Sequence, residues 1–118
     1  VLLIGSDPLT QFLNRAAERP FAWGQHDCLL WLADWVRERH DFDPALGLRG
    51  SYSTMLGAAR IVADAGGMVE LVEDRIGLFG VSRAAGEARG DIAVIDIAGE
   101  DGEQFGNRAG AILLGGAV

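Results

Sequence analysis

The sequence holds one cysteine, Cys28, among 118 residues, and it contains no lysine. A single cysteine excludes an internal disulfide and any cysteine-rich zinc site, and no residue pattern calls for another metal or a cofactor. All ten basic residues are arginine, against seventeen acidic ones, for a formal charge of −7. Because phosphate binding draws its affinity from clustered cations, and no such cluster is present, this balance argues against a general nucleic-acid or anionic-membrane binder. No apolar run approaches the roughly 20 residues that a membrane-crossing helix needs. A leader pattern is missing too, since Val1 to Ile4 is short and Asp7-Pro8 breaks it. The expectation is a protein made and kept in a cytosol-like compartment, or exported without a cleaved leader.

Hydrophobic residues make up 49% of the chain, enough for one compact domain with a single core rather than a disordered segment. The chain is organised around Phe21-Ala22-Trp23-Gly24-Gln25-His26-Asp27-Cys28, which runs into the apolar segment Leu29 to Val36. Asp27 is placed to cap a helix, with Cys28 at the first helical position. A thiol there feels the positive end of the helix dipole, which favours thiolate, and the same half-turn offers free amides for a developing oxyanion. That is how a cysteine nucleophile is housed. The plainer reading is a small apolar side chain packed in a core.

Taken in order, Asp7-Pro8 starts a helix over Pro8 to about Glu18, with Asp7 as cap, Leu9, Phe12, Leu13 and Ala16 inward, and Gln11, Asn14 and Arg15 outward. Arg19-Pro20 ends it. Phe21 and Trp23 read as hydrophobic anchors of a structured loop that pivots at Gly24. Asp27 to about His40 reads as the central helix, burying Cys28, Leu29, Leu32, Trp35 and Val36 on one face, widened by Leu30 and Trp31. His40 lies roughly 18 Å along that helix from Cys28 and suits its negative end.

Ser53 or Thr54 caps a third helix packed through Met55, Ala58, Ala59, Ile61, Val62 and Ala65, closed by Gly66-Gly67. A fourth, Met68 to Ile76, places Val69, Val72 and Ile76 inward. The pattern then turns to strands: a short β-like piece over Leu78 to Ser82, a run from Gly90-Asp91 through Ile92 to Ile97, a hairpin turn at Gly99 to Gly102, and a strand over Ala109 to Leu114. Helices first and strands second predict an α+β domain, N-terminal helices on a small C-terminal antiparallel sheet.

The Trp23-Gly24-x-x-Asp27-Cys28 loop opening a core helix, the Gly90-Asp91 turn into a strand, and the glycine-containing strand after it resemble the NlpC-type cell-wall peptidases, papain-like enzymes that cut peptide bonds in peptidoglycan. The chain resembles more closely a group of small phage-tail and prophage proteins of that superfamily, in which the loop is followed by an R-G-x-Y segment, here Arg49-Gly50-Ser51-Tyr52. The resemblance implies a single NlpC-like domain over 1–118, Cys28 as nucleophile, a virion location, and tail-tip or baseplate proteins or peptidoglycan peptides as partners.

The family's histidine base begins the strand after the Gly-Asp strand, as His-Val-Gly-Ile. Here that position holds Arg108, in Arg108-Ala109-Gly110-Ala111, and arginine takes no proton from a thiol at neutral pH. No counterpart of the family's third, orienting residue precedes Val118. His26, two residues before Cys28, is the alternative base, although its simpler role is a loop histidine bonded to backbone. Asp27 is explained fully as a helix cap. Two readings stay open: a catalytically degenerate tail component, or a cysteine amidase or endopeptidase whose base is not visible.

Overall fold

The computed structural model describes residues 3–77, 87–97 and 108–115. Four helices precede two strands, so the chain is α+β in the expected order: α1 (Pro8–Ala17), α2 (Cys28–His40), α3 (Met55–Asp64), α4 (Met68–Gly77), β1 (Ile92–Asp96) and β2 (Arg108–Ile112). The strand-like piece over 78–82 and the turn at 99–102 lie outside the described residues.

α2 is central because consecutive residues on a helix point about 100° apart, and its apolar residues surround the axis. Leu30 and Ala33 pack with Ala45. Trp35 packs with Leu9 and Phe12 of α1. Leu29 reaches the third cluster, where Ala58, Ala59 and Val62 of α3 meet Met68 and Leu71 of α4. Leu30, expected only to widen the buried face, is among the most deeply enclosed side chains, whereas Cys28 and Leu29 are half-buried.

Two expectations are corrected at the helix starts. Asp7 stands at the N-cap position of α1, but its carboxylate caps no amide. It accepts instead from the Thr10 hydroxyl and from Arg89, whose guanidinium also reaches the Leu114 carbonyl and so ties α1 to the end of β2. α4 buries Met68 and Leu71 rather than Val69, Val72 and Ile76, which are half-buried. Its orientation is set at the next turn of the same face: Arg75 donates to the carbonyls of Pro44 and Leu46, fixing the 68, 71, 75 side against the loop beyond α2. Thr54 caps α3 through the Gly57 amide, as one of the two expected residues. Asn14, expected outward, closes a pair of hydrogen bonds with the backbone of Leu3.

β1 and β2 pair antiparallel, with Ile92 opposite Ile112, Val94 opposite Gly110 and Asp96 opposite Arg108. Strand alternation puts these six on one face. Ile92 and Ile112 pack on the Trp35 cluster and Val94 on the α3–α4 cluster, so this face is turned inward. The Gly90-Asp91 turn is docked by Trp35, whose indole N–H donates to the Gly90 carbonyl at 2.7 Å. The Asp91 carboxylate accepts from the Ala88 amide and closes the turn.

Candidate functional site

Residues 22–26 form a tight closed loop. Ala22 and His26 exchange both backbone hydrogen bonds, and Gly24 at the apex has φ +79°. Glycine is required there twice over, since the φ is left-handed and a Cβ would lie 1.9 Å from the Tyr52 carbonyl oxygen. Trp23 anchors the loop against the α3–α4 cluster as expected. Phe21 is not an anchor: it is 59% exposed and meets Trp23 edge-on at 4.8 Å.

Asp27, only 3% exposed, is the hub of the site. One carboxylate oxygen accepts from the amides of Leu29 and Leu30, the capping bonds that start α2. The other accepts from the Gly24 amide and from the Tyr52 hydroxyl. Burying a carboxylate is costly unless its oxygens are hydrogen-bonded, and four donors are supplied. Burial and the hydrogen bond to Asp27 push the Tyr52 phenol far above its ordinary range.

The Arg49 to Tyr52 segment therefore has a structural job. The Gly50 amide donates to the Gly24 carbonyl at 2.8 Å, and Arg49 grips Asp43 with a two-pronged fork while donating to the buried Asp34 at 2.7 Å. The segment staples the loop onto α2. Residue spacing did not assign these roles, because the contacts that join the segment to Asp34, Gly24 and Asp27 span 15 to 26 residues of chain; the visible signal was only that an arginine, a glycine and a tyrosine stood together in a loop.

Cys28 sits at the first position of α2, half-buried, with β2 laid against it. A Cβ on Gly110 would lie 2.5 Å from Leu32 Cδ1 and 3.1 Å from the Cys28 carbonyl oxygen, so glycine is what lets the strand come this close. The thiol is pushed up, above its ordinary pKa, by burial first and by the adjacent Asp27 charge second; the amides of Cys28, Gly110 and Leu29 oppose this and do not overcome it. The expected thiolate-favouring site is corrected accordingly. Of the amides in the half-turn expected to be free for an oxyanion, those of Leu29 and Leu30 are occupied by Asp27.

Neither histidine reaches the sulfur. His26 donates through Nε2 to the Ala16 carbonyl at 3.0 Å, which locks the ring onto the last turn of α1, and its buried Nδ1 hydrogen-bonds to nothing among the described residues. His40 ends α2 at the far side, against Phe42. Arg108 opens β2 two residues before Gly110, on the same face, and its guanidinium meets the Asp96 carboxylate across the strand pair at 3.6 Å. The structure thus brings Asp27, Cys28 and Gly110 together with Tyr52, and gives His26 and Arg108 other partners. Among the described residues no group of histidine, cysteine and carboxylate side chains could hold a metal ion, and no helix is long and apolar enough to cross a membrane.

No curated protein and no solved structure matches the sequence. One family does, over residues 6–117, which is nearly the whole chain, and the protein therefore belongs to DUF6950, a domain of unknown function.

Proposed function

We propose that this chain is a catalytically lapsed domain of the papain-like NlpC type that serves as a structural component of a phage or phage-like tail tip. The observation that carries the lapse is Arg108. It takes the strand position where the peptidases that the sequence resembles carry their base, and its guanidinium faces the Asp96 carboxylate at 3.6 Å. Supporting it, His26 is tied to α1 and the Cys28 thiol is held above its ordinary pKa, so among the described residues no histidine is bonded to the thiol and the thiolate is disfavoured. A nucleophile needs a base or a thiolate.

What the chain retains is the frame: a cysteine at a helix start, a strand closing over it through Gly110, and a Gly-Asp turn fixed by Trp35. Such a frame presents a rigid surface to neighbouring subunits without chemistry. The tail assignment rests on the sequence resemblance. The test is digestion of purified peptidoglycan with the parent, Cys28→Ala and Arg108→His. The parent should release no stem peptides. Release by the parent that disappears in Cys28→Ala overturns the proposal and restores the peptidase reading; release by Arg108→His alone identifies a lapsed enzyme with an otherwise sound site.

A further inference from the structure

Asp34 is buried in the second turn of α2, and three guanidiniums converge on its carboxylate. Arg49 donates to it at 2.7 Å, Arg19 at 3.2 Å, and Arg37 lies 3.5 Å away. Asp43 is the second acid of the group, gripped by the fork of Arg49 and 3.9 Å from Arg37. Three arginines face two aspartates, leaving one positive charge on a molecule of net charge −7. Glu38, the next acid along α2, is bound to Arg15 at 2.8 Å and does not neutralise it.

The three arginines are not equally used. Arg49 is largely enclosed and spends its donors on both acids. Arg19 gives one N–H to Asp34 and another to the Gln25 carbonyl. The Arg37 guanidinium meets both acids at ion-pair range and makes no hydrogen bond among the described residues. The side chains of Arg19 and Arg37 are each 52% exposed, on either side of the same anchored carboxylate. Guanidiniums that share one carboxylate repel one another, and a further oxyanion bonded to their exposed N–H groups relieves that repulsion with charge-assisted hydrogen bonds.

We propose that Arg19 and Arg37, held in place by Asp34 and Arg49, form a binding site for an oxyanion, either a carboxylate of a neighbouring protein or free phosphate. The site is separate from Cys28 and stands whether or not the chain is catalytic. The test is a titration of the full-length protein with citrate, a glutamate-rich hexapeptide and inorganic phosphate in turn, against sodium chloride at matched ionic strength. It follows the side-chain Nε–H resonances of the arginines by NMR. The Arg37 and Arg19 signals should move saturably, and Arg37→Gln should weaken binding roughly tenfold, the loss of one charge-assisted pair. A tighter response to the peptide assigns the site to a protein carboxylate, and a tighter response to phosphate assigns it to the free anion. A shift that chloride reproduces, or one that Arg37→Gln leaves unchanged while its backbone spectrum stays folded, overturns the site.

Discussion

Removing one hydroxyl tests the hub of the loop. In Tyr52→Phe the ring remains packed against the α3–α4 cluster, but Asp27 loses its one side-chain donor among the described residues and keeps three amides. A hydrogen bond to a charged acceptor contributes about 1.5–3 kcal/mol, so the variant should lose roughly 2 kcal/mol. For a chain of this length, at about 2.1 cal/mol/K of unfolding entropy per residue, that corresponds to a fall of roughly 8 °C in Tm. The pH dependence gives a second, independent readout. Tyr52 is the sole tyrosine and lysine is absent, so among the described side chains it and Cys28 are the groups that titrate in the alkaline range.

Both hold their protons more tightly in the folded chain than in the unfolded one. Stability is therefore full below the unfolded values and falls as pH rises past about 8.5 for Cys28 and past about 10 for Tyr52, by roughly 1.4 kcal/mol per pH unit for Tyr52 alone. Tyr52→Phe should flatten the slope by that one proton. The assay is urea unfolding between pH 8 and pH 11, both numbers being measurement settings of about one unit's tolerance. A variant within about 0.5 kcal/mol of the parent, with an unchanged alkaline slope, would refute the hub role of Asp27 and Tyr52.

Three further outcomes follow from the packing. Trp35→Ala should cost about 3–5 kcal/mol in chemical denaturation, since it empties the Phe12 contact and strands the Gly90 carbonyl, and a near-parental midpoint would contradict the central place of α2. Gly110→Ala should destabilise by about 1–3 kcal/mol through overpacking on Leu32 and the Cys28 carbonyl, and it should speed Cys28 alkylation by easing β2 away; slower alkylation would show that the strand does not cover the thiol. Arg49→Gln bears on the acid limb. The Arg49 fork holds the Asp43 carboxyl below its ordinary pKa, so its contribution is present above about pH 4 and lost as pH falls further. The variant should flatten that limb, and an unchanged acid profile would show that the fork does not stabilise the loop.

Most of the helical layer was legible in the sequence because its signals are local. Asp27 ahead of Cys28, Thr54 ahead of Met55 and Pro8 after Asp7 mark helix starts by residue type alone, and helical spacing shows the inner face of α3. The two strands were legible as an alternating run from Ile92 and an apolar run from Ala109, but their register, with Val94 opposite Gly110, was not. What failed depended on distant partners. Asp7 is diverted from capping by Arg89, which lies 82 residues away. α4 is rotated by carbonyls in the loop after α2. At Cys28, the helix start was read correctly, but burial and the adjacent Asp27 charge reverse the inference of a favoured thiolate. The role of Arg49 and Tyr52 was invisible until the loop closed on them.

The state of the Cys28 thiol is the most direct test of an inert site. The rate of iodoacetamide alkylation of the native protein, followed across pH by mass spectrometry with the urea-unfolded chain as reference, gives the thiol pKa and its accessibility together. The expected result is slow native labelling at neutral pH and an apparent pKa above the ordinary thiol value of about 8.5. Rapid labelling at neutral pH, with an apparent pKa below that of the unfolded chain, would show an activated nucleophile and contradict the lapsed-site reading.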